Sequence, residues 1–176
     1  GKGSALIVLD DTWSTGANWA ARVTTARRYL EEFESAGRPV ALALTSLGAQ
    51  ADFSPRAASE LQPLVAASEP RPIQPDNAGL AASMRAAETE FGTIVLLASG
   101  LNETNTPDFM AALSEKGSAE VIVVRPDVTA TRALGQLENR PDVLIAPVVR
   151  AEDAGNASGT VNAFDRQGRL LGRAPY

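Results

Sequence analysis

The chain has 176 residues, 44% of them hydrophobic and 21% charged, with a net charge of −5. That length gives one domain a real core, and the acidic balance excludes nucleic acid as the main partner, since phosphate binding needs a basic face. The chain contains no Cys and no His, which removes disulfides, thiolate nucleophiles and zinc sites, Ser-His-Asp triads and histidine general bases together.

The run Ala5–Leu9 is continuously apolar, as expected of a strand covered on both faces. It leads straight into Asp10-Asp11-Thr12-Trp13-Ser14, in which Asp10, Thr12 and Ser14 form a D-x-T-x-S pattern. Three oxygen-bearing side chains on one tight loop suit a hard cation such as Mg²⁺. An acid at a strand end also serves simply to cap the following turn. If the strand persists that far, Asp10 and Asp11 point to opposite faces and do not meet at one centre.

A helix follows. Trp19, Val23, Ala26, Leu30 and Phe33 make one apolar stripe, with Arg22, Arg27, Glu31 and Glu34 off it. Trp19, on that stripe, reads as a core residue. Gly37 and Pro39 stop the helix. Val40–Leu44 is the second strand, and Thr45 to Phe53 a polar loop. Ser54-Pro55 reads as the N-cap and first position of a helix reaching about Ala67, with Leu61, Leu64 and Val65 inward and Pro63 able to kink it. The prolines between Glu69 and Pro75 predict an extended connector. Asp76 or Asn77 caps a helix through about Glu90, with Leu80, Met84 and Ala87 inside.

Thr93–Ala98 is the third strand, ending at Ser99-Gly100. Thr106-Pro107 opens a helix that buries Phe109, Met110 and Leu113. Ala119–Val124 is a fourth strand, Thr129 or Thr131 begins a short helix ending near Leu137, and Val143–Val149 is a fifth apolar run. The tail changes character: Ser158–Phe164 and Arg169–Arg173 flank Asp165-Arg166-Gln167-Gly168, a hairpin turn with glycine where φ is positive. Strands alternating with helices predict an α/β fold, a doubly wound and mostly parallel sheet with helices on both faces, plus a C-terminal β-hairpin. The expected division is an α/β domain over 1–150 and a hairpin extension over 151–176. Gly1-Lys2-Gly3-Ser4 runs directly into a strand and Ala174-Pro175-Tyr176 ends one, so the sequence reads as a piece of a longer protein.

A strand ending in D-x-T-x-S, followed at once by an amphipathic helix and alternating α/β, resembles a von Willebrand factor A (vWA) domain. More narrowly, the chain resembles the vWA-like region of bacterial inner-membrane proteins of the BatA (aerotolerance-operon) type. The stretches that carry the resemblance are Leu6 to Trp13, Ala36 to Leu42, Val124 to Asp127, and Gly159 to Gly172. It implies a divalent metal, usually Mg²⁺, held by Asp10, Thr12 and Ser14, with a threonine from a second loop and an aspartate from a third. Here the third loop reads Ser99-Gly100 in place of Asp-Gly, and Asp76-Asn77 stands near the second-loop position, with Thr45 as another hydroxyl. The implied metal site is therefore degenerate.

The resemblance also implies two preceding membrane helices. The positive-inside rule then puts this region in the periplasm. It implies a non-enzymatic protein-interaction or scaffold module of a larger membrane-anchored protein, one that meets a protein partner through the loops at the strand carboxyl ends, with Asp11, Trp13, Asn102 and Glu103 on the binding rim and no resident cofactor beyond a possible Mg²⁺. Metal-dependent ligand binding is the alternative. A phosphoryl-transfer enzyme using Asp10 is a more distant one, because the residue two positions on is Thr12 rather than a second aspartate.

Overall fold

A computed structural model describes residues 3–101, 103–116, 121–124, 132–134, 137–141, 143–150 and 158–176. The chain falls into two compact units, residues 1–126 and 127–176.

The first unit is built on a four-stranded parallel sheet of order β2-β1-β3-β4, from β1 (Ala5–Leu9), β2 (Val40–Leu44), β3 (Thr93–Leu97) and β4 (Val121–Val124). Parallel strands need crossover connections, supplied here by α1 (Trp19–Ser35), α2 (Ala58–Ala67), α3 (Asn77–Ala86) and α4 (Thr106–Lys116). Helices cover both faces of the sheet, so the α/β architecture expected from the sequence is the one observed. Alternation along β1 divides its residues between two cores. Leu6 and Val8 pack with Leu80 and Met84 of α3 and Phe109 and Leu113 of α4. Ala5, Ile7 and Leu9 pack with Ala26, Leu30 and Phe33 of α1 and Leu61 and Val65 of α2. All five β1 residues are fully buried, which is why the run is unbroken by a polar side chain.

Several element boundaries differ from the sequence expectation, each for a local reason. Ser54 does not cap α2. Arg56 pairs with Val40 through two 2.8 Å backbone hydrogen bonds, which holds this stretch extended until Ala57. Pro63 lies inside α2 without ending it, and Leu64 is turned to solvent at 51% exposure. The expected loop after β2 winds instead into 3₁₀ turns over Thr45–Gln50. Asp76 is the cap of α3, accepting a 2.9 Å hydrogen bond from the Gly79 N–H, and α3 stops at Ala86.

The second unit departs further. The helix expected to end near Leu137 is contradicted by β5 (Arg132–Leu134), which pairs antiparallel with β8 (Val148–Arg150). Residues 129–131 lie outside the described residues. The fifth apolar run is not one strand of the parallel sheet. It is split between β7 (Val143–Ile145), paired antiparallel with β6 (Glu138–Arg140), and β8, with Pro147 between them. The run looked like one strand because proline was its only break. The expected tail hairpin is present as β9 (Thr160–Phe164) against β10 (Leu170–Pro175). Gly168 has φ +79°, and Asp165 Oδ1 accepts from the Gln167 and Arg169 N–H groups, which is the turn chemistry that the sequence announces.

Candidate functional site

The carboxyl ends of β1, β2 and β3 lie side by side, where open α/β sheets place their ligand crevice. Three segments supply side chains there: the loop Asp10–Ser14 after β1, Thr45 and Ser46 after β2, and Ser99 and Glu103 after β3.

The first loop is closely tied down. Asp10 is 5% exposed, and its Oδ1 accepts from the Thr12 hydroxyl at 2.6 Å, the Thr45 hydroxyl at 2.9 Å and the Thr12 N–H at 3.1 Å. Asp11 is 1% exposed and accepts from the Ser46 N–H at 2.8 Å and the Ser46 hydroxyl at 2.6 Å. β1 ends at Leu9, so the alternation that would have separated the two acids does not reach them, and both come within hydrogen-bond reach of the Thr45 hydroxyl. The loop backbone is pinned from outside by the proline-rich connector. Arg71 N–H donates to the Asp11 carbonyl at 2.7 Å, and Trp13 N–H donates to the Ile73 carbonyl at 3.0 Å.

Trp13 crosses to the third loop. Its indole Nε1–H donates to Glu103 Oε1 at 2.8 Å. Glu103 is itself held by Thr106, whose hydroxyl both accepts from the Glu103 N–H and donates to its carbonyl. The Glu103 carboxyl is pushed up to about 7, chiefly by burial and also by the Asp10 charge, against the downward pull of the Trp13 hydrogen bond. Trp13 and Glu103, both placed on the binding rim by the sequence, are thus one hydrogen-bonded pair. Asp11, the third, is buried and spent on Ser46. Asn102, the fourth, lies outside the described residues.

Arg22 was not foreseen. It sits between the stripe positions of α1 and was expected outside, yet it is 6% exposed. Its guanidinium donates to the carbonyls of Leu97 at 2.8 Å and Ala98 at 2.6 Å and to Asn18 Oδ1 at 2.9 Å. Desolvation lowers its pKa and the Asp10 charge raises it. It therefore ties α1 to the end of β3 and sets a positive charge that acts on Asp10. The sequence signal was available in part: Arg22 follows Asn18 by one helical turn, close beside the stripe. Trp19 packs against the α1-side core, and its indole donates to the Ser68 carbonyl at 3.0 Å, in line with a packing role.

The donor set answers part of what a hard divalent cation requires. Asp10 offers one carboxylate, Thr12 and Thr45 hydroxyls surround it, and Ser14 Oγ is buried with no hydrogen-bond partner. The rest is missing. Asp11 is committed to Ser46, and Ser99 Oγ accepts from the Leu101 N–H in the place where a second carboxylate would be wanted. Asp76, near the expected second loop, is used as a helix cap. Among the described residues no group of three acidic, Cys or His side chains is placed to hold a metal. Because cation affinity follows ligand charge, these residues do not fit a tightly held ion. Comparison of the chain with models of known families, with curated proteins and with solved structures finds no match.

Proposed function

We propose that this chain is a non-enzymatic protein-interaction or scaffold module, a vWA-like region of a larger membrane-anchored bacterial protein exposed to the periplasm, whose metal-binding loop is degenerate. The observation that carries the reading is the bridge from Trp13 to Glu103 across the strand carboxyl ends. It sets an aromatic ring and a carboxylate on a rim whose supporting loops are fixed by backbone hydrogen bonds. A rigid rim with a tryptophan anchor is what a binding surface needs, since tryptophans are enriched among the few residues that carry interface energy. The inner polar groups support the same reading. Asp10, Asp11, Thr12 and Thr45 are engaged with one another and with Ser46, which suits holding a loop in shape.

The test is capture of a partner by the intact parent protein in its membrane, by cross-linking from the rim. Trp13→Ala is expected to weaken capture about tenfold, the loss of one anchor residue, while circular dichroism stays native. Unfolding of the variant would instead mean that Trp13 is only a packing residue. A topology reporter fused to the parent protein checks the periplasmic placement.

One observation favours the metal-dependent alternative: the buried, unpartnered Ser14 Oγ on the loop that carries Asp10. Under that alternative, millimolar Mg²⁺ raises the melting temperature of the wild type and not of Asp10→Ala. The reading proposed here expects no shift in either.

A further inference from the structure

We propose that the partner anchors on this rim through a basic side chain, an arginine or a lysine, seated against the Trp13 ring and the free oxygen of Glu103. The inference rests on the binding function proposed above and adds to it the chemistry of the partner.

The argument starts from an unbalanced charge. Glu103 is partly buried, and its Oε1 is taken by the Trp13 indole. Among the described residues nothing donates to its Oε2, and no cation is within ion-pair distance. Among the described residues the charge that acts on it is negative, that of Asp10. The cation that compensates Asp10, Arg22, has its donors directed to Leu97, Ala98 and Asn18, and so does not serve Glu103. A half-desolvated carboxylate with one open acceptor and an acidic neighbour favours a positive group from outside.

Trp13 adds the second element of recognition. Its N–H is directed in the ring plane at Glu103, and the residue is only partly buried, so part of the indole remains open to a partner beside that carboxylate. An indole face beside a carboxylate receives a guanidinium or an ammonium by cation–π attraction together with a charge-assisted hydrogen bond. The aliphatic stem of an arginine or lysine suits the aromatic surface as well. The net charge of −5 steers a basic partner toward this chain. Arginine is the stronger candidate, because its planar fork stacks on the ring while one edge reaches Oε2.

The experiment titrates the intact chain with Nα-acetyl-arginine amide, using Nα-acetyl-glutamate amide and MgCl₂ as comparison probes. The readout is the indole N–H resonance of Trp13, assigned against that of Trp19 with a Trp13→Phe variant. The arginine probe is expected to move the Trp13 resonance saturably at millimolar concentration. Its affinity should fall about tenfold in Glu103→Gln, which keeps the acceptor for Trp13 and removes the charge. An equal response to the glutamate probe, a response to Mg²⁺ alone, or unchanged affinity in Glu103→Gln would each overturn the proposal. If the parent protein captures a partner that the arginine probe fails to displace, this inference falls and the binding function stands. If the probe binds at Glu103 and no partner is captured, the binding function falls and the cation-binding chemistry stands.

Discussion

Glu103 is a carboxylate whose environment works against its charge. Burial and the Asp10 charge hold its pKa near 7, above that of an ordinary carboxylate, and the Trp13 hydrogen bond only partly opposes them. A raised folded-state value means that the folded chain binds the proton more tightly than the unfolded chain does. The stabilisation is therefore fully present below the unfolded value near 4.5 and is lost as pH rises through about 7. Asp52, Asp108 and Asp165 have lowered values, so their stabilisation is lost only at more acidic pH. With no His in the chain, Glu103 is the side chain among the described residues expected to dominate between pH 5 and 8. Unfolding free energy should fall by about 1–2 kcal/mol across that window once solvent screening of a partly exposed group is allowed for. Urea titrations at several pH values check this. Glu103→Gln should flatten the decline, and an unchanged slope in that variant would remove Glu103 as its source.

Much of the site was legible residue by residue. Asp10, Thr12 and Ser14 stood out because hydroxyls follow an acid at two-residue spacing, and Trp13 because it is large in a loop of small side chains. Thr45 and Glu103 were named as well, but Ser46 was not, and the pairing was not legible: these three reach Asp10, Asp11 and Trp13 only through the sheet, 34 to 90 residues away in sequence. Arg22 was misplaced because amphipathic reading assigns a charged side chain to solvent. Here the carbonyls of Leu97 and Ala98 at the end of β3 and the Asp10 charge supply the partners that make its burial tolerable.

At the scale of the element, signals carried by neighbouring residues held and signals overridden by distant pairing did not. Asp76, one of the two caps that the sequence offers, caps α3, because capping is decided within one turn. The start of α2 moved because Arg56 is drawn into pairing with Val40, a partner that no local pattern names. Gly79, at the third position of α3, offers a sharp test. Helix propensity alone predicts that Gly79→Ala stabilises by up to about 1 kcal/mol. The packing says otherwise. A Cβ at Gly79 would lie 2.6 Å from the Ala49 backbone nitrogen and closer still to the Asp76 carboxylate. Gly79→Ala is therefore expected to destabilise by about 1–3 kcal/mol, the usual cost of overpacking, and to shift the 3₁₀ turns that carry Thr45 and Ser46. A chemical denaturation midpoint above that of the wild type would show that the contact is relieved at no cost.

At the scale of the whole molecule, the parallel sheet was the most legible feature and the second unit the least. The sheet follows from runs such as Ala5–Leu9 and Thr93–Leu97, buried along their whole length, with amphipathic helices between them. Past residue 126 the strands are three residues long in β5 to β8, too short for periodicity to register against background. Burial separates the two units in the same way. Leu30 is fully buried on the α1-side core, whereas Leu171 in the hairpin is 70% exposed. Leu30→Ala is therefore expected to cost about 2–5 kcal/mol, a transfer loss plus a cavity between α1 and the sheet. Leu171→Ala removes the same atoms from a site already in water and should change stability by less than about 0.5 kcal/mol. The comparison holds chemistry constant and varies only burial, so equal losses in urea unfolding would mean that the hairpin buries Leu171 against a surface outside these contacts. That outcome would move the search for an interaction face from the strand carboxyl ends to the hairpin.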